Sequence, residues 1–268
     1  MQKKNTEGAS VDALIFDIDG VLLDVTKSFP EVIRRAVAVG WEKFCGGTTD
    51  CGGYCAEHEW VFKRHGSFND DYDIAWTLLS MAAASGEKKL SAALPSPEKL
   101  AEELKTFYRP LPEWVREKYG DGAPRSEVRA FCAELYGGKG FGLHLLERPM
   151  IKKHWSELGL PVAVYSGRNA HEWELAKESL GWEDFPDALV VHSDHGIEKP
   201  SPDGLEILCG RLGVSSFVFF GDTASDMQAQ AACGKGQFAA IGALLPEAKY
   251  RYDTTEEAVA AFTKGLPR

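Results

Sequence analysis

The sequence predicts an α/β fold: a doubly wound parallel, Rossmann-like sheet with an inserted all-helical cap domain. Three observations predict it. The run Ala13-Leu-Ile-Phe16 is apolar throughout, as a strand covered on both faces must be. From about 146 onward, short apolar runs alternate with segments of helical length, which is the pattern of parallel strands joined by crossover helices. Between 25 and about 145 no strand pattern occurs, while helical spacing recurs. Residues 1–24 and 146–268 are therefore assigned to an α/β core, and 25–145 to a helical module.

Taken in order, residues 1–11 read as a frayed leader. The first strand spans about 12–19. Residues 29–44 have helical spacing (Val32, Ile33, Ala36, Val37), with Pro30 suited to a first turn. A Gly- and Cys-rich loop follows, then a helix over 57–65 ended by Gly66. Asn69 or Asp70 caps a helix over 71–85, with Ile74, Leu78 and Met81 on one stripe. Further helices are predicted at 97–108, 126–136 and 146–158. The alternation then runs strand 161–165, helix 170–180, strand 188–192, helix 202–212, strand 217–220, helix 225–233 and strand 238–241.

Composition narrows the function. The chain has 268 residues, 44% apolar and 26% charged, ordinary values for a globular protein with a real core. A net charge of -10 argues against nucleic acid or an anionic membrane as partner. Residues 1–10 lack the apolar core of a signal peptide, and no run has the length of a membrane span, so a cytoplasmic location is expected. A monomer or homodimer is the expected assembly. Cys45, Cys51 and Cys55 cluster ahead of His58, but not at a standard zinc spacing. They read as thiols in a loop, with structural metal or redox chemistry as the less favoured alternative.

The chemistry gathers at strand ends. Asp17 and Asp19 follow the first strand and, with period two, project to one side while Ile18 points away. Gly20 permits a sharp turn or a close approach. Paired carboxylates are costly unless a cation lies between them, so the reading is a nucleophile beside a general acid/base, clamped by metal. Ser166 and Gly167 precede a helix and suit an anion, although Ser166 alone is also a plain turn residue. Asp222 and Asp226 follow strand 217–220 and read either as helix caps or as further carboxylates in the same crevice. Four convergent carboxylates call for a hard divalent cation, Mg²⁺. Lys199 would supply the positive charge that a phosphoryl group needs.

The set Asp17-Ile-Asp19-Gly20, Ser166-Gly167-Arg168, Lys199-Pro200 and Gly221-Asp222-x3-Asp226 resembles the four motifs of the haloacid dehalogenase superfamily. Within it, the chain looks like subfamily IA, the phosphoglycolate-phosphatase-like branch with a C1 helical cap. The resemblance implies hydrolysis of a small phosphorylated metabolite, phosphoglycolate-like or a sugar phosphate, through an aspartyl-phosphate. Asp17 would attack phosphorus and Asp19 would act as acid, then base. Asp17, the Asp19 carbonyl and Asp222 would hold Mg²⁺, with Asp226 as ligand or one layer out. Ser166 and Gly167 would bind phosphate. Arg168 would touch phosphate or make a surface ion pair, and Lys199 would brace phosphate and nucleophile. Asp19 favours a phosphatase or phosphomutase over a dehalogenase. The segment from Lys63 to Asp73 resembles a cap loop and helix, which makes Lys63, Arg64, His65 and Asn69 candidate substrate contacts. The alternatives are a phosphomutase of the β-phosphoglucomutase type and a non-catalytic metabolite-binding protein on the same fold.

Overall fold

The computed structural model describes residues 10–50, 53–66, 68, 70–140 and 142–264. The chain divides into two compact units, Met1–Val25 with Glu147–Arg268, and Thr26–Leu146. Among the described residues, no helix is long and apolar enough to cross a membrane.

The first unit is built on β1 (Ala13–Phe16), which is buried at all four positions. Its neighbours are β4 (Val162–Tyr165) on one side and β6 (Phe217–Gly221) on the other, both parallel to it. With β5 (Val190–Val191), β7 (Gln237–Ile241) and β8 (Tyr250–Tyr252), they form a six-stranded sheet of order β5-β4-β1-β6-β7-β8. Every pairing in it is parallel.

Period-two alternation divides the core. Leu14, Phe16, Val162, Val164, Val218 and Phe220 point to one face, against Trp173 and Ala176 of α8 (Ala170–Leu180) and Ala258 and Phe262 of α11 (Thr255–Thr263). Ala13, Ile15, Ala163, Tyr165, Phe217 and Phe219 point to the other. They meet Leu205 and Leu208 of α9 (Asp203–Leu212) and Ala229 of α10 (Ala224–Cys233). Because helices cover both faces, the strands carry apolar residues at odd and even positions alike. This is the doubly wound arrangement.

The segment predicted as a helix over 146–158 is not one. Its start forms β3 (Arg148–Pro149), antiparallel to β2 (Leu23–Asp24), and Trp155–Glu157 make a single 3₁₀ turn. Pro149 has no N–H to donate to a helical ladder. The apolar spacing of the segment is instead spent inside the sheet core, where Ile151 and Leu158 are buried. The strand predicted over 188–192 shortens to two residues behind the 3₁₀ turn Asp187–Leu189.

The second unit is helical: α1 (Phe29–Cys45), α2 (Ala56–His65), α3 (Asp71–Ala84), α4 (Leu90–Ala93), α5 (Pro97–Leu104), α6 (Leu111–Tyr119) and α7 (Arg125–Gly137). Helix α3 is its centre, buried continuously from Asp71 to Ala82. Its cap is Asp70, whose carboxylate accepts from the Tyr72 and Asp73 N–H groups. The helix predicted over 97–108 stops at Leu104, and α6 follows beyond Pro110.

Candidate active site

The carboxyl ends of β1 and β6 bring three acidic side chains together. Asp17 continues β1, and its N–H donates to the Phe220 carbonyl at 2.9 Å, which fixes it against β6. Asp222 follows β6 directly, and Asp226 lies in the first turn of α10. One carboxylate oxygen from each of Asp17, Asp222 and Asp226 lies within 4.8 Å of the others. Among the described residues this is the one group of three or more acidic, His or Cys side chains so placed.

Lys199 enters the same cluster from the loop after β5. Its Nζ is 2.8 Å from Asp17 Oδ1 and 2.6 Å from Asp226 Oδ1, and the side chain is only 1% exposed. Burial works against its charge, but Asp17 and Asp226 outweigh that and hold its pKa above the ordinary lysine value. The Asp17 carboxyl is also raised, but there burial prevails over the nearby charge. Burial, aided by Asp226 and Asp19 and opposed by Lys199, pushes it up to about 7.

Asp226 is fully buried and both of its oxygens are engaged. Oδ1 accepts from Lys199, while Oδ2 accepts from Thr223 Oγ1 at 2.6 Å, Thr223 N at 3.0 Å and Asp222 N at 3.2 Å. It thus caps the start of α10 and anchors Lys199 at once. The two readings of this residue, helix cap and site carboxylate, describe the same side chain.

The donor set suits a hard divalent cation, since all three ligand atoms of the group are carboxylate oxygens. Gly20 makes room for the Asp222 carboxylate. At φ +71°, a Cβ on residue 20 would fall 2.2 Å from Asp222 Oδ2, so only glycine leaves that carboxylate in place. Gly221 does the same for Asp226, whose Cβ would lie 2.4 Å from an added methyl.

Asp19 is held apart from this cluster by Arg168. The guanidinium Nε and Nη2 donate to Asp19 Oδ1 at 2.9 and 2.7 Å, and Nη2 also reaches Glu147 Oε2 at 2.9 Å. Arg168 is buried, so it makes no surface ion pair. Ser166 is also buried, with its Oγ accepting from the Arg168 N–H at 3.2 Å, and Gly167 is half-buried beside it. Asn169 caps α8 by accepting from Glu172 N at 2.9 Å. Glu147 and Glu172 are buried charged residues of this group that the sequence motifs do not flag.

The candidates in the helical unit are placed differently. Lys63 Nζ lies 3.2 Å from Asp71 Oδ1, and His65 Nε2 contacts the Leu104 carbonyl at 3.0 Å. Arg64 is exposed on α2. Asn69 and Cys51 fall outside the described residues. Cys45 Sγ contacts the Gly122 carbonyl at 3.6 Å, whereas Cys55 Sγ sits 3.0 Å from His58 Nδ1, and His58 Nε2 reaches the Pro95 carbonyl. The two described thiols thus have separate partners.

Residues 11–234 match the family model described as haloacid dehalogenase-like hydrolase. Phosphatase Tt82 from Thermococcus thioreducens is similar in structure, with a TM-score of 0.64 at 24% identity, covering 94% of this chain and all of that one. A hydrolase from Pseudomonas syringae has a TM-score of 0.55 at 15% identity, over 96% of this chain and 100% of its own. A HAD-superfamily hydrolase of subfamily IA, variant 1, from Geobacter sulfurreducens has a TM-score of 0.51 at 16% identity, over 96% and 99%. Likeness at these identities speaks to the fold. No curated protein matches the chain. With the family model spanning β1, β4 and β6 and the carboxyl ends that carry this cluster, the chain belongs to the haloacid dehalogenase-like hydrolases.

Proposed function

We propose that the protein is a Mg²⁺-dependent phosphatase of small phosphate esters that works through an aspartyl-phosphate on Asp17. The observation that carries this reading is the buried Lys199 ammonium held between Asp17 and Asp226, with Asp222 in the same cluster. A carboxylate nucleophile and a phosphoryl dianion repel each other, so the catalyst must supply positive charge and fixed geometry.

Asp17, Asp222 and the Asp19 backbone carbonyl would hold the Mg²⁺, while Asp226, with both oxygens engaged, steadies Lys199 and the β6–α10 turn. When bound, the ion neutralises charge on the phosphoryl oxygens. The protein's own groups do the rest. Ser166 Oγ and the Gly167 N–H take phosphoryl oxygens. An Asp17 carboxylate oxygen attacks phosphorus, and the bond from phosphorus to the ester oxygen breaks. Asp19 protonates that departing oxygen. The Asp19 carboxylate then takes a proton from water as the water oxygen attacks phosphorus. The Asp17–phosphoryl bond breaks and inorganic phosphate leaves, returning Asp19 to its protonated form.

A panel of phosphorylated metabolites, assayed for phosphate release with and without EDTA, tests this. Phosphate release that EDTA abolishes is the expected result. Isomerised sugar phosphate in place of free phosphate would make the protein a mutase. Silence across the panel would leave a metabolite-binding protein.

A further inference from the structure

We propose that Arg168 is a positioning residue for Asp19 rather than a phosphate ligand, and that Glu147 in turn fixes Arg168. The proposal rests on the phosphatase reading of the site and deepens it by separating the residues that meet phosphate from those that aim the acid.

Three features support it. First, Arg168 is committed: its side chain has no exposure, and its guanidinium spans Asp19 Oδ1, Glu147 Oε2 and the Glu172 carbonyl, the last at 3.3 Å from Nη1. A guanidinium has five donor hydrogens in a rigid plane, so these three acceptors set its orientation. Second, Nε and Nη2 converge on the same oxygen of Asp19, Oδ1. Oδ2 takes neither bond, so the fork orients the carboxyl group without claiming the oxygen that would carry a proton. Third, Glu147 is itself buried, with 1% side-chain exposure, and faces the inner side of Arg168. A buried carboxylate is costly without a cation, and Arg168 is its cation. The two acids share one arginine, and the deeper acid prevents the guanidinium from following Asp19 outward.

Glu147 also has a particular place in the chain. It is the first residue of the α/β unit after the helical segment and directly precedes β3, which pairs with β2. The aim of Asp19 is therefore tied to the two-stranded ribbon at which the chain leaves and re-enters the α/β unit.

The test uses two substrates with the Mg²⁺-loaded full chain: an alkyl phosphate, whose leaving oxygen needs a proton, and an aryl phosphate with an acidic phenol, which leaves without one. The measured quantity is kcat/KM, which reports phosphorylation of the enzyme and not the later hydrolysis. Arg168→Met is expected to lower the alkyl value roughly 10- to 100-fold more than the aryl value, as loss of an aimed acid should. Asp19→Asn should show the same selectivity, and combining the two should add little. Inhibition by inorganic phosphate should be unchanged. Glu147→Gln should shift the ratio in the same sense by less. Should Arg168→Met not fold, because the buried Glu147 loses its Arg168 ion pair, the charge-balanced Arg168→Met/Glu147→Gln protein takes its place. Equal losses on both substrates, with weaker phosphate inhibition, would make Arg168 a phosphate ligand and overturn the proposal. Wild-type protein inactive on both substrates would instead bring down the phosphatase reading itself.

Discussion

Gly20→Ala probes the metal cradle through one methyl group. Residue 20 has φ +71°, a conformation that costs an L-residue with a Cβ about 1 kcal/mol. The added Cβ would also sit 2.2 Å from Asp222 Oδ2 and 2.6 Å from its Cγ. Carbon and oxygen atoms rest near 3.5 Å, so the carboxylate must retreat by about 1 Å. A displacement of that size in a site held for chemistry costs about 10²-fold in rate. The expected outcome is a modest stability loss, about 1–2 kcal/mol, joined to weakened Mg²⁺ binding and a turnover loss near 10²-fold. Gly234→Ala is the control. That residue has φ +66° at the end of α10, with nothing within 4 Å of an added Cβ. It should show the backbone cost alone. Urea midpoints, Mg²⁺ titrations and kcat/KM on both variants separate the effects. If Gly20→Ala behaved like Gly234→Ala, with metal affinity and turnover intact, Asp222 would not be a ligand whose position matters.

Asp17→Asn should abolish turnover with the fold retained, read by phosphate release alongside circular dichroism; native-rate hydrolysis of an aryl phosphate would show another nucleophile. Lys199→Met leaves buried carboxylates facing each other, and removing one partner of a buried pair costs about 3–5 kcal/mol. Denaturant unfolding near neutral pH should register that loss, and an unchanged midpoint would mean Lys199 is not the neutralising charge. In the metal-free protein, burial and the nearby Asp226 and Asp19 lift Asp17 to about 7, so Mg²⁺ must displace its proton when the pH is lower. Raising a carboxyl above its ordinary value favours the protonated form. Metal affinity should therefore fall about tenfold for each unit below that pH and level off above it. Calorimetric titrations at about pH 5, 6 and 8 would reveal a flat profile if Asp17 were not a ligand.

Much of the α/β unit was legible because its determinants are local. An apolar run followed by Asp17-Ile-Asp19-Gly20 announces a strand and a polar end within eight residues of one another, and α8 has the predicted bounds, 170–180. Asp17, Lys199, Asp222 and Asp226 lie in the segments after β1, β5 and β6, and the sheet order brings those ends together. What escaped has no local period. Strands β2 and β3 are two residues each, too short for alternation, and they exist only because the chain returns to pair with itself. Strand β8 lies at the sheet edge, and α11 follows it in a stretch where the sequence shows no clear element pattern. Helix α6 begins among Pro110 and Pro112, residues that read as breakers unless a first turn is in view. Glu147 carried no signal because its partner, Arg168, lies 21 residues further along. The roles of Arg168 show the same limit: a motif position names the residue, and only the surrounding acceptors assign its task.

The ribbon of β2 and β3 has a consequence for how the chain can be cut and rejoined. Leu23 lies opposite Pro149 and Asp24 opposite Arg148, so the two points bracketing the long helical excursion are already neighbours in a hydrogen-bonded pair. A tight turn of a few residues could bridge them in place of everything from Thr26 to Leu146. The excursion is thus grafted onto a hairpin, where material of any length can be exchanged without re-threading the sheet.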